Sequence, residues 1–132
     1  MMLQSLTAHE LTDTDLQWLV KVCNESYDQL DPEIMLRGLC AGDVLVFRLL
    51  SPVEGILMIT ETLRTGQKEW FINGFAGRGI TGKIFAIVRE LREIAKTRDV
   101  EVITGLPHRP GLYKIYETLG AKPRAILYAL EV

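Results

Sequence analysis

Three glycines in six residues, Gly77, Gly79 and Gly82, stand just ahead of a long amphipathic run, with Arg78 and Lys83 beside them. Glycine permits positive φ and lets a ligand come close to the backbone. The first turn of a helix carries N–H groups without intrahelical partners and about half a positive charge. Together these make an anion site suited to phosphate. The plain alternative is a tight strand-to-helix connection that binds nothing. Gly77 to Lys83 meets the G-x-x-x-x-G-K spacing of a nucleotide-binding loop. Ile84, however, stands where a Mg²⁺-binding Ser or Thr is required, and the apolar stretch at 100–104 does not end in Asp. Only 49 residues follow Lys83, too few for a parallel NTPase sheet. A Rossmann reading fails as well, because that glycine loop opens its domain and this one sits late in the chain. Two distant histidines, His9 and His108, and two distant cysteines, Cys23 and Cys40, offer no ligand spacing, so no metal is expected.

The elements that must hold this turn follow from changes of period. Residues 3–7 form a short strand. Thr12 to Asp15 has capping-box form, and Leu16, Leu19, Val20, Cys23 and Tyr27 then share one helical face. Asp31 and Pro32 start a second helix that ends near Gly42. Three strands at 44–50, 55–63 and 67–73 follow, joined by short turns, as in an antiparallel meander. After the glycines comes a helix over 83–97, with Ile84, Val88, Leu91 and Ala95 inward. A strand at 100–104 completes a crossover whose length implies parallel pairing and a right-handed turn. Pro110 opens a last helix carrying Leu112, Ile115, Tyr116 and Leu119, stopped by Gly120. Residues 125–132 form a terminal strand. The order β-α-α-β-β-β-α-β-α-β describes one mixed α/β domain over 1–132, with no internal repeat or linker.

Composition narrows the class. The 132 residues are 48% hydrophobic and 24% charged, the proportions of an ordinary globular domain. A formal net charge of −2 argues against broad capture of nucleic acid. No apolar run reaches the ~18 residues needed to span a bilayer, and the N-terminus lacks the pattern of a signal peptide. Two unpaired-looking cysteines fit a reducing, cytoplasmic setting.

The stretch Phe71-Ile72-Asn73-Gly74-Phe75-Ala76-Gly77-Arg78-Gly79-Ile80-Thr81 resembles, without a gap, the strand–loop–helix pattern of the GCN5-related N-acetyltransferase (GNAT) superfamily. Its loop is written R/Q-x-x-G-x-G/A; Ala76 replaces the usual Arg or Gln, and Thr81 the second Gly or Ala. Tyr116-Glu117-Thr118-Leu119-Gly120-Ala121 is similar to the family's Y-E-K-L-G-F ending of the fourth helix, while Arg109 replaces a frequent Asn. Small GNAT-like proteins also occur in bacteriophages, some with structural or host-modifying roles.

The resemblance implies a GNAT-like fold and an acetyl-CoA-dependent N-acetyltransferase acting by direct transfer. The acceptor would be an amine on a small molecule or a protein. It places the co-substrate's diphosphate on the backbone of Gly77, Arg78, Gly79, Ile80, Thr81, Gly82 and Lys83, and the carbonyl-polarising N–H around Phe71 and Ile72. It makes Tyr116 the general acid: a phenol of pKa near 10 can return a proton to a thiolate of pKa near 8.5. Tyr113 is the fallback. Glu69 is the best carboxylate for a base, with Glu61 and water competing, and His108 lies close by in sequence to the expected acceptor region. Glu25, Asp28, Asp31 and Glu33 against Arg37 give the first two helices a mild acid excess that would favour a cationic amine. A short final strand leaves an edge that could pair two copies as a homodimer. The competing implication is a fold retained for binding or assembly, with the chemistry lost.

Overall fold

The computed structural model describes residues 1–26, 29–106, 110–124 and 130–131, with the side chains of 110–113 left aside. The expectations for Tyr27, Asp28, His108, Arg109 and the terminal strand at 125–132, and those for the Leu112 and Tyr113 side chains, lie outside these residues. The order is β1 (Leu3–Leu6), α1 (Asp13–Glu25), α2 (Pro32–Ala41), β2 (Val44–Leu49), β3 (Glu54–Arg64), β4 (Gln67–Arg78), α3 (Ile84–Thr97), β5 (Val102–Gly105) and α4 (Pro110–Thr118). The strands make one sheet in the order β1-β2-β3-β4-β5. The first four are antiparallel neighbours, and β5 joins β4 in parallel after the α3 crossover.

Period-2 alternation in β2 and β3 sends side chains to two cores. Phe47, Leu49, Leu57, Ile59, Trp70 and Ile72 pack with Ile87, Leu91 and Ala95 of α3. Val44, Val46, Ile56, Met58 and Ala76 pack with Leu19, Val22 and Cys23 of α1 and with Met35 of α2. Ile87, rather than Val88, is fully buried on α3. On α1 the buried face is likewise turned from the expected one: Asp15, Leu19, Val22 and Cys23 are inside, and Val20 is 41% exposed. The cause is electrostatic. Asp15 accepts two hydrogen bonds from the Arg48 guanidinium on β2, at 2.6 and 3.1 Å, and this pair sets the roll of the helix. Burial pushes the Asp15 carboxyl up, but the bonds from Arg48 and Thr12 outweigh it and hold the group below its ordinary value.

At the open edge, Glu90 of α3 accepts the backbone N–H groups of Met2 and Leu3, at 2.7 and 2.6 Å. This ties β1 to the helix and occupies donors that an edge strand would otherwise present to other chains.

The third meander strand does not stop at Asn73 but runs to Arg78. Gly77 is therefore a strand residue, paired with Gly55 of β3. A Cβ on Gly77 would run into the carbonyl of Glu54, and one on Gly55 into the carbonyl of Ala76. Both glycines are required by the close approach of two backbones. Gly77→Ala is expected to lower stability by about 1–3 kcal/mol, the range for overpacking where atoms cannot move aside. Urea unfolding measures it, and an unchanged midpoint would contradict this packing.

Candidate functional site

β4 and β5 pair only from Glu69 to Ile72, opposite Val102 to Gly105. Beyond Ile72, β4 continues to Arg78 with β3 on one side and, among the described residues, no strand on the other. The two parallel strands thus part, leaving a backbone edge whose N–H and C=O groups need partners. The parting coincides with a bulge. Ile59 faces Ile72 and Met58 faces Gly74, so Asn73 is the extra residue. Its side-chain oxygen accepts from Thr60 Oγ1 at 2.8 Å. Gly74 adopts φ +155° with Val22 of α1 against it, 3.2 Å from where a Cβ would stand. Phe71 and Ile72 lie inside the ladder, matched to strands on both sides, so the first backbone outside it is at Asn73. Sequence reasoning missed this bulge. Its signal was an Asn-Gly step inside an apolar strand pattern.

The open edge leads to the start of α3. Gly79 turns the chain at φ +74°, a conformation that favours glycine. Thr81 to Lys83 form one 3₁₀ turn, with Lys83 N–H donating to the Ile80 carbonyl at 2.7 Å. Neither that turn nor α3 has a side-chain cap or an acidic residue in its first turn. α1 and α2, by contrast, are capped by Thr12 and Asp31. The N-terminal end of α3 is thus electropositive and uncapped by side chains, and Thr81, Gly82 and Lys83 are exposed there. Ile80 packs partly into the α3-side core. A Cβ on Gly82 would have nothing within 4 Å, so its neighbours do not demand glycine. Arg78 sends its guanidinium over Trp18 of α1, 5.9 Å from the ring centre, and Lys21 lies 5.7 Å from the same ring. Its side chain is engaged by α1, so the backbone is what Arg78 offers to the turn.

On the other side of the parting stands Tyr116 of α4, half-buried, with its phenol against Gly105. Burial raises its pKa, so it stays protonated at neutral pH. Glu69 has a different setting from the one expected. It is 5% exposed, accepts a hydrogen bond from Thr104 at 3.1 Å, and is ion-paired with Arg124. Burial pushes its carboxyl up, but Arg124 and Thr104 outweigh that and hold it below the usual glutamate range. A carboxylate so stabilised is a poor proton acceptor, which weighs against the base role. Glu61 is no freer, since its Oε1 accepts from the Trp70 indole at 2.9 Å. The acidic stretch is also bonded locally: Glu33 pairs with Arg37 at 3.2 Å, Glu25 with Lys21 at 3.9 Å, and Asp31 caps α2. Cys23 is buried, its thiol pushed up to about 11 by burial and by Asp31, and it behaves as a small apolar group. Among the described residues no three His, Cys, Asp or Glu converge to hold a metal, and no helix is long and apolar enough to cross a membrane.

The chain matches no protein-family model and no curated protein sequence. Its fold does match solved structures over nearly its whole length. An aminoglycoside acetyltransferase from an uncultured soil metagenomic sample superposes with a TM-score of 0.71 at 17% identity, covering 98% of this chain and 97% of that one. A predicted acetyltransferase of Clostridium acetobutylicum, solved with acetyl-CoA, gives 0.69 at 15% identity, covering 99% and 96%. A ribosomal-protein-alanine N-acetyltransferase of Brucella melitensis biovar Abortus 2308 gives 0.66 at 15%, covering 98% and 97%.

The Glu69–Arg124 pair carries its own prediction. Because the folded-state carboxyl titrates below its unfolded range, its stabilisation is complete above that range and lost as pH falls through the folded value. Glu69→Gln should therefore lower stability at pH 7 by about 1.5–3 kcal/mol, the range for a hydrogen bond to a charged group. The deficit should shrink toward pH 3. Urea melts at the two pH values test this, and equal stability at pH 7 would contradict it.

Proposed function

Because the chain has the GNAT acetyltransferase fold, we propose that it binds acetyl-CoA along the open edge of β4 and transfers the acetyl group directly to an amine. The observation that carries this reading is the continuous path from the parted strands to the uncapped start of α3. The residues fit such a ligand at both ends. The backbone of residues 79–83 offers N–H groups and a positive helix end to a diphosphate. The edge at 73–78, open among the described residues, offers donors and acceptors to an amide-containing arm. That the Clostridium acetobutylicum protein was solved with acetyl-CoA supports the assignment.

Acetyl-CoA, when bound, supplies an activated thioester carbonyl and a thiolate leaving group. The chain's part is to place and to neutralise. The bulge at Asn73, whose side chain is held by Thr60, is the first backbone beyond the β4–β5 pairing, and its N–H is the donor proposed to polarise the carbonyl. Tyr116, a phenol that is protonated at neutral pH, hands its hydroxyl proton to the departing sulfur and takes one back from water. The amine gives up its proton to water rather than to Glu69, whose carboxylate is committed to Arg124 and Thr104. Nitrogen–carbon bond formation then accompanies carbon–sulfur cleavage, with amide and thiol as products.

Calorimetry with acetyl-CoA should show saturable binding, with a matching thermal shift. Gly79→Val should weaken it strongly, because a β-branched residue is strained at φ +74°. Tyr116→Phe should keep the affinity and slow thiol release with a panel of amines by about 10–100-fold. No heat and no thermal shift at millimolar acetyl-CoA would end this reading.

A further inference from the structure

Gly105 closes β5 at the point where β5 parts from β4, in register with Ile72. Its φ lies outside the left-handed region, so its backbone conformation does not call for glycine. What does is the Tyr116 ring. The three atoms nearest to a Cβ placed on Gly105 all belong to Tyr116: the hydroxyl oxygen, which such a Cβ would overlap, then Cζ at 3.0 Å and Cε1 at 3.5 Å. The phenol thus lies directly over the Cα of Gly105, in the space that any side chain there would fill. Gly77 and Gly55, by contrast, are glycine because backbone meets backbone.

We infer that Gly105 is a positioning residue: the missing side chain makes the seat that holds the Tyr116 hydroxyl at the mouth of the strand parting. The inference rests on the proposed acetyl transfer for its consequence, though not for the seat itself. Rings have few ways to move. χ1 of a helical Tyr has few wells and the ring itself is rigid, so a methyl group at Gly105 must displace the ring and carry the hydroxyl from its place over Gly105. A proton donor displaced by a few ångströms no longer reaches the leaving atom within hydrogen-bond distance. The loss falls on turnover and not on binding, because the diphosphate is held at the far end of the path.

The test is Gly105→Ala, alone and with Tyr116→Phe. Gly105→Ala should lower kcat about as far as Tyr116→Phe does, roughly 10-fold or more, with the Kd and KM for acetyl-CoA within about twofold of the parent. In the Tyr116→Phe background the same change should lower kcat by less than about threefold, since the hydroxyl it displaces is already gone. A second readout needs no activity. In protein labelled with ¹³Cζ-tyrosine, the Tyr116 resonance, assigned by its disappearance in Tyr116→Phe, should titrate at lower pH in Gly105→Ala, as the phenol moves into water. Any thermal destabilisation by Gly105→Ala should be partly recovered in the double variant, where the overlap with the hydroxyl is removed. An unshifted Tyr116 titration, or equal kcat losses in both backgrounds, would overturn the inference. If the parent shows no turnover, the proposed function fails, and the titration alone decides whether Gly105 seats the ring.

Discussion

A strand that outruns its neighbour must satisfy its backbone elsewhere, and this constraint governs the molecule. Among the described residues, β4 is paired on both sides from Glu69 to Ile72 and on one side from there to Arg78. Unpaired amides in a partly buried place call for a partner with its own donors and acceptors. Each feature around the parting keeps the strand open or keeps it in place. The Asn73 bulge turns it, and the Gly55–Gly77 contact presses it onto β3. α1 covers one face through Val22 and Trp18, while α3 begins where the strand ends.

The glycines that dominate the middle of the sequence do not share one task. Gly77 lets two strands touch, Gly79 turns the chain, Gly74 accompanies a bulge, and a Cβ on Gly82 would meet no described residue within 4 Å beyond its chain neighbours. Only the stretch from Gly79 onward belongs to the turn proposed to bind the diphosphate. A run that reads as a single phosphate loop is therefore half strand and half turn, and it is strand pairing that presents the turn at the end of the open edge.

Charge is used in the same economical way. The two buried carboxylates among the described residues, Asp15 and Glu69, are each answered by an arginine from another part of the chain, Arg48 and Arg124. A buried carboxylate left alone would rise in pKa and destabilise the fold; paired, it becomes a cross-link between elements. The first pair fixes the roll of α1. The second joins β4 to the segment after α4, so that Glu69 ties the strand to the region around Tyr116.

Local chemistry alone determined a good deal: the order of the elements from β1 to α4, the capped starts of α1 and α2, and the parallel crossover. Capping boxes, proline positions and apolar period act over a few residues, so they can be read from neighbours along the chain. Contacts between distant residues decided the rest. Nothing near Val20 in sequence says that Arg48 will draw Asp15 inward and turn Val20 out, and nothing near Glu69 reveals Arg124, 55 residues on. The end of β4 at Arg78 depended on Gly55 lying opposite Gly77, and the seat of Tyr116 on an absent side chain in another element. Steric fit and ion pairing are properties of positions in space, and those exist only once the chain has folded.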